Sequence, residues 1–382
     1  MTAQGLIAPL RGRALVALAA IASVAALQLL SIPPAHAAEG GGFAQANLVS
    51  DLPNVARVQD ANLANPWGLS HSPTSPWWIS DNGAGVSTLY DGSGTPFPPA
   101  APLVVAIPAP GATSGGTPTG NVFNTESADF VVSAGGRSGA SIFIFATEDG
   151  TIAGWSPAVN RTQAITMVDN SAVPDAADGA VYKGLTLAHG SSGPTLLATN
   201  FRSGAVDVFN RAFQQVRRGG AFTDRALPAG YAPFGIQAAG DRVLVSYAKQ
   251  DADRHDDVAG HGNGFVDVFT ADGGLVRRLI SRGDLNSPWG IAIAPSGFGA
   301  LSRALLVGNF GDGRINAFNA ESGASRGTLR LTDGTPFQAD GLWGIAFGNG
   351  ATAGPEHSLF FTAGIDDEQH GLFGSLTPVA GR

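Results

Sequence analysis

Short apolar runs recur along the chain from residue 43 onward, each closed by Gly, Pro, Asn or Asp. WWIS (77–80), FIFA (143–146), LLAT (196–199), VLVSYA (243–248), LLVG (305–308) and LFFTA (359–363) are typical. Runs of this kind between turn residues predict β-strands. Beyond the N-terminus no stretch sustains apolar residues at the 3.6-residue period of a helix. The pattern predicts an all-β chain of many short strands.

The runs also repeat at a longer period. PWGLS (66–70), KGLTL (183–187), PFGIQ (233–237), PWGIA (288–292) and LWGIA (342–346) each open a unit. A turn, a second apolar strand, an Asn- or Gly-rich turn and a third strand follow. The anchor glycines are Gly68, Gly184, Gly235, Gly290 and Gly344, and the first interval is about twice the others. SADFVVSAGGRSGASIFIFATEDGTIAGW (127–155) fills that gap without the aromatic-Gly step, which makes six units. A fourth strand follows the third, as in PLVVAIP (102–108), QAITMVD (163–169) and GLVRRLI (274–280).

Units near 66–126, 127–181, 182–232, 233–286, 287–341 and 342–378 predict a six-bladed β-propeller in a single domain, 38–382. The last unit carries only three strands, and FAQANLVSD (43–51) lies upstream of the first. The N-terminal strand is therefore expected to complete the last blade and remove its open edge. The Trp-Gly steps read as packing, a large ring between blades and a glycine where the innermost strands crowd.

The pattern PWGIA…LLVGNFGDGRINAFN (288–319) resembles NHL-type propeller repeats and the wider six-bladed group that includes gluconolactonase-like lactonases. Further segments carry a closer likeness: NLVSDLPNVARVQDANLANPWGLS (47–70), WWISDNGAGVSTLYDG (77–92), FIFATEDGTIAGW (143–155) and YAKQDADRHDDVAGHGNGFVDVF (247–269). Through them the chain is similar to a family of exported bacterial proteins of unknown function. Members of that family often end in a PEP-CTERM sorting tail, whereas this sequence ends TPVAGR without an apolar anchor. The resemblance implies the fold and leaves the activity open. The lactonase-like group would add a divalent ion on the axial face, held by Glu and Asn or Asp, that polarises a carbonyl.

In a propeller the loops joining second to third strands gather on one face. The ends of the second strands align at Asn82, Glu148, Asn200, Ala248, Asn309 and Gly364. Amide and carboxylate oxygens are the ligands calcium and magnesium prefer. Asn82, Glu148, Asn200 and Asn309 are thus candidate ligand-binding residues, and Glu148, Asn200 and Asn309 a candidate metal set. The competing reading is turn chemistry, since Asn82-Gly83 and Asp149-Gly150 are steps that tight turns favour.

The stretch QDADRHDDVAGHGN (250–263) is an expanded loop on the same face. Asp253, Asp256 and Asp257 are its candidate catalytic carboxylates, and His255 and His261 its candidate ligands. It lacks the glycine and terminal glutamate of an EF-hand loop, and a solvated surface turn is the alternative. A second acidic turn, GIDDEQHG (364–371), belongs to the last blade, and the two would converge across the ring if both overhang the opening. His71 and His189 fall at the far ends of first strands, on the opposite face. H-E-x-x-H, P-loop and Rossmann glycine patterns are all missing.

Arg11 and Arg13 precede an apolar run over 14–32, Pro33-Pro34 and Ala35-His36-Ala37. This is the order of a secretory signal peptide cleaved after Ala37. The run is long enough for an uncleaved anchor, but the prolines and small residues favour removal. Export to the periplasm or exterior, with no membrane span after cleavage, is the expectation. Losing 1–37 takes two arginines and no acid from a chain of net charge −8. An acidic surface repels phosphate backbones, which excludes nucleic acid as partner. With no cysteine, disulfides and thiolate chemistry are excluded as well.

Two functions stay open. One is a binding or scaffold protein that holds a small molecule, glycan or protein on its axial face and requires no cofactor. The other is a metal-dependent lactonase or esterase that takes calcium or another divalent cation. There Glu148, Asn200 and Asn309 would hold the ion, and a carboxylate of the 251–257 loop would act as base.

Overall fold

A computed structural model describes residues 41–380, and the leader read over 1–37 lies outside the described residues. Six radial β-sheets close into a ring. Their innermost strands are Pro66–Ser70, Pro118–Phe123, Tyr182–Gly190, Tyr231–Ala239, Pro288–Ile293 and Leu342–Phe347. Each packs on the next and the last on the first, so the molecule is the expected six-bladed propeller. Among the described residues no helix is long and apolar enough to cross a membrane.

The closing blade mixes both ends of the sequence. Phe43–Ser50 pairs antiparallel with Leu372–Pro378, Phe43 opposite Pro378 and Ser50 opposite Leu372. Alternating apolar residues make six buried clusters, each between two neighbouring blades. Phe43 enters the cluster between blades five and six, while Leu48 and Val49 enter the one between blades six and one. One strand thus locks two interfaces.

Two expectations about the blades need correction. Blade two begins at Pro118–Phe123, not at 127, and Val131–Ala134 with Arg137–Ala140 form a separate hairpin beside it. PTGNVF has no aromatic before its anchor, Gly120, so the usual signature was silent there. Among the described residues, blade three has three strands instead of four. After its third strand, Ala205–Phe209, the chain folds back so that the Val216 N–H meets the Val208 carbonyl at 2.7 Å. It then departs through Arg217-Arg218-Gly219-Gly220, which has no apolar alternation to hold an edge.

At the axis, the anchor glycines solve a crowding problem. A Cβ on Gly344 would stand 2.7 Å from the Trp67 carbonyl oxygen, and one on Gly184 would stand 2.9 Å from that of Phe234. The innermost strands slip register there, between Tyr182 and Leu185, Pro233 and Ile236, and Leu342 and Ile345. The freed N–H groups of Gly184, Gly235 and Gly344 donate to the hydroxyls of Thr199, Ser246 and Thr362 at 2.7, 3.0 and 2.9 Å. Those hydroxyls donate onward to the carbonyls of Phe234, Pro288 and Trp67 in the next blade, at 2.8, 2.6 and 2.5 Å. Each of these blades is hydrogen-bonded to its neighbour through a side chain as well as packed on it.

Candidate functional site

The aromatic residues that precede the anchor glycines are core as expected, but they pack on one another at the axis and not between neighbouring blades. Trp67, Phe234, Trp289 and Trp343 are buried together with Phe201. Trp67 and Trp343 stack with ring centroids 3.4 Å apart, and Phe310 stacks on Trp343 at 4.1 Å. In blade three this position belongs to Lys183, the lysine of KGL. Its side chain is only 2% exposed, and the ammonium lies 5.1 Å from the Trp67 ring centroid.

A buried ammonium needs partners, or it would shed its charge. Lys183 Nζ lies 2.5 Å from Glu148 Oε1 and 3.2 Å from Asp256 Oδ1. Burial alone would lower the lysine, but the two carboxylates outweigh it and hold the amine above its ordinary range. The Glu148 side chain is 14% exposed and that of Asp256 66%, so water screens the second pair far more than the first. The Glu148–Lys183 pair therefore dominates. Glu148 follows the strand Phe143–Thr147 at a turn closed by Gly150, φ +82°, and its other oxygen accepts from Asn82 Nδ2 at 2.8 Å.

The long loop of blade four reaches the same place. Asp251 accepts the His255 N–H at 2.9 Å, and the Val258 N–H returns to the Lys249 carbonyl at 2.8 Å, which folds 250–258 into a compact turn. Arg254 pairs with Asp178 of a neighbouring loop. The turn brings His255 Nδ1 within 2.9 Å of Asp256 Oδ1. That hydrogen bond, helped by Lys183, holds Asp256 well below the usual carboxylate range; the same bond raises His255 against burial and the repelling charge of Lys183. Burial raises Asp257 against the pull of Ser287 and Lys183.

The acidic turn of blade six meets this loop. Asp366, Asp367 and Glu368 all take positive φ, 54°, 51° and 63°. That is a costly run for residues with a Cβ, and strain of this sort gathers at functional sites. It turns Glu368 inward, where Asn65 Nδ2 donates to it at 2.7 Å. Burial, with Glu148 repelling it, pushes Glu368 up to about 7 despite that hydrogen bond. The carboxylates and Lys183 wall a cavity of about 420 Å³ floored by Trp67, Phe310 and Trp343.

Five expected residues therefore meet at or beside the axis: Asn82, Glu148, His255, Asp256 and Asp257. The two acidic loops do converge, through Glu368 and the 255–257 segment. Asn200 and Asn309 do not join them. Asn200 Nδ2 donates to Asp207 at 3.1 Å and Asn309 Nδ2 to the Asp284 carbonyl at 2.8 Å, local contacts near the ends of their own strands. The set Glu148, Asn200 and Asn309 is thus not assembled as a metal centre. Among the described residues, the donors that lie within 4.8 Å of one another are Glu148, His255 and Asp256. Asp253 and His261 are exposed and stand outside the cavity. His71 lines a different, apolar cavity with Ile291 and Phe347, and His189 bonds Glu126 at 2.8 Å. Lys183 and Glu368 went unnoticed as site residues. The available signal for Lys183 was a charged residue where other units place an aromatic ring.

Glu368 gives a pH signature. Its folded value of about 7 lies above the ordinary 4.5, so the folded state binds the extra proton between these values. The associated stability is complete below about 4.5 and is lost as pH rises through about 7. Glu368→Gln is expected to remove a decline of roughly 2–3 kcal/mol across that window. Urea titrations of both proteins from pH 4.5 to 8 read it as a difference. The subtraction matters because buried Asp267 is also pushed up to about 7. Parallel profiles for the two proteins would mean that Glu368 is not the group titrating.

The fold and this cavity define a six-bladed propeller with a polar axial site over an aromatic floor. No family model matches the chain. It is 31% identical over 339 residues to uncharacterized protein R648 of Acanthamoeba polyphaga mimivirus, covering 86% of this chain and 78% of that one. To uncharacterized protein L690 of the same virus it is 30% identical over 339 residues, covering 86% and 84%. The chain belongs to the family of these proteins. They are viral, and neither a bacterial origin nor a PEP-CTERM tail follows from them. Among solved structures, a glucose dehydrogenase aligns with TM-score 0.50 at 13% identity over 87% of this chain and 99% of its own, a likeness of fold alone.

Proposed function

We propose that the chain is an exported binding protein whose axial cavity takes a small organic cation. The cavity of about 420 Å³ carries this reading. Glu148, Asp256, Asp257 and Glu368 face one lysine and one half-exposed histidine across an aromatic floor. Lys183 satisfies Glu148, while burial raises Asp257 and pushes Glu368 up to about 7, so that Glu368 is poised to lose a proton. A positively charged guest would meet both the carboxylates and the π-faces, an arrangement that favours organic cations over hydrated ones. Because such a guest stabilises the ionised carboxylates, it should bind more tightly as pH rises through about 7.

A second reading rests on Glu148, His255 and Asp256, whose ligand atoms lie within 4.8 Å of each other. They could hold a divalent ion of the kind a lactonase or esterase needs, and Glu368 could serve as its base. Against it, the Lys183 ammonium already bridges Glu148 and Asp256. Thermal melting at pH 6 and pH 8 with putrescine, calcium chloride and zinc chloride separates the two. The expected result is a putrescine shift, larger at pH 8, that approaches roughly 2.7 kcal/mol at about 100 times the dissociation constant. It should be abolished in Asp257→Asn/Glu368→Gln. A shift with a metal ion alone, lost in Asp256→Asn, would favour the hydrolase. No shift with any of them would end both.

Export rests on the leader pattern before Ala38. Intact mass of protein from its native host is expected to place the N-terminus at Ala38 in a soluble fraction. A membrane-bound chain retaining 1–37 would make the apolar run an anchor.

A further inference from the structure

Blade three is a strand short, and the place of the missing strand is open. In blade one, Val86, Ser87 and Thr88 of the third strand pair with the fourth strand through Ala106, Val105 and Val104. In blade five, Asn316 and Ala317 pair likewise with Thr328 and Gly327. The matching residues in blade three are Ala205, Val206 and Asp207, and no strand of the described residues lies beyond them. The returning chain reaches only as far as Val208, whose carbonyl accepts the Val216 N–H. Beside the open edge runs a groove of about 440 Å³, lined by Val206, Asp207, Arg217 and Arg218 among others.

Ladder geometry says which groups this edge offers. Antiparallel strands point alternate residues' backbone groups inward and outward. Val208 faces out of the blade, since it meets Val216, and so Val206 faces out too. Its N–H and C=O form an unfilled rung. The Asp207 carboxylate is turned inward, accepting from the Tyr182 hydroxyl at 3.0 Å and Asn200 Nδ2 at 3.1 Å. In the same groove, Arg217 is exposed and forms no described ion pair, its charge reaching Asp207 only at longer range, while Arg218 meets Asp272 at 3.5 Å. The strand that fills this position in blade one, Val104–Ala106, is just three residues long, so a short segment suffices.

We infer that blade three is completed in trans by an extended acidic segment of another polypeptide. The segment adds as a fourth strand on Ala205–Asp207, pairs its backbone with Val206, and sets its carboxylates against Arg217 and Arg218. Open sheet edges bind in this way, main-chain bonds supplying affinity and flanking side chains the choice of partner. This site is separate from the axial cavity and does not depend on the reading of that cavity.

The probe is a capped, fluorescein-labelled heptapeptide of alternating valine and aspartate, titrated into the full chain and followed by anisotropy. Saturable binding is expected, together with slowed hydrogen exchange at the Val206 amide. Val206→Pro removes the outward N–H without touching the blade's own ladder, and should weaken binding roughly tenfold. Arg217→Glu, a surface change that leaves the fold alone, should weaken it by a similar factor and flatten its salt dependence. A peptide N-methylated on its pairing edge should not bind. No saturable binding at millimolar peptide would overturn the inference. So would equal binding by the N-methylated peptide, which would mean that charge alone is read. Protection at Val206 that appears only as the protein concentrates into dimers would assign the edge to a second copy of the chain and overturn the foreign segment.

Discussion

A chain that begins at Asn54 should fail to unfold as one cooperative unit. The truncation removes Phe43–Ser50, and with it Phe43, Leu48 and Val49, which are 4%, 2% and 0% exposed. Each such side chain contributes roughly 1.5–3 kcal/mol by burial. The loss is therefore about 5–9 kcal/mol before any ladder bond is counted, against a total stability typically of about 5–15 kcal/mol. It falls on two interfaces at once and leaves Leu372–Pro378 as a bare edge. Urea unfolding followed by near-ultraviolet circular dichroism and by fluorescence makes the test. Coincident transitions with an unchanged midpoint would show that the closing strand is dispensable.

Lys183→Met should be the most damaging single change at the axis. It is nearly isosteric, so little packing is lost, but Glu148, only 14% exposed, loses its ion-pair partner. Removing one partner of a buried pair costs roughly 3–5 kcal/mol, more than the pair contributes relative to an apolar substitute. Lys183→Met/Glu148→Gln should therefore recover most of the loss, since the orphaned charge is gone. A double-mutant cycle in urea measures the coupling. Additive losses from the two single changes would mean that the ion pair is screened by water and does not organise the cavity.

The blade architecture was legible because it is written redundantly. Four of six anchors repeat the aromatic-Gly step, and most strands carry their own apolar run. Where redundancy lapsed, so did the reading: PTGNVF hides blade two's first strand, and the missing strand of blade three shows only as a lack of apolar alternation over Arg217-Arg218-Gly219-Gly220. The site was legible only as a neighbourhood. Loop position placed 250–263 and 364–371 on one face, yet residue type could not say which oxygens turn inward. Asn200 and Asn309 have the right chemistry and the wrong direction, fixed by Asp207 and the Asp284 carbonyl. Glu368 enters because three consecutive residues adopt positive φ, which no pattern of side chains announces. Lys183 was visible as a departure from the repeat, but its meaning needed partners that lie 35 and 73 residues away.

The hydroxyls of Thr199, Ser246 and Thr362 bear on how the axis can move. Each ties the bulge of its own blade to the innermost strand of the next through bonds of 2.5–3.0 Å. Tilting one of these blades would break such a bond in a dry setting where no water replaces it. The floor of the cavity is consequently stiff, and breathing is confined to the rim. A guest that enters must be accommodated by the 250–258 turn, tethered at its tip by Arg254 to Asp178, and by the strained 364–371 turn. The frame keeps time for the whole ring, and only these two loops are free to change step.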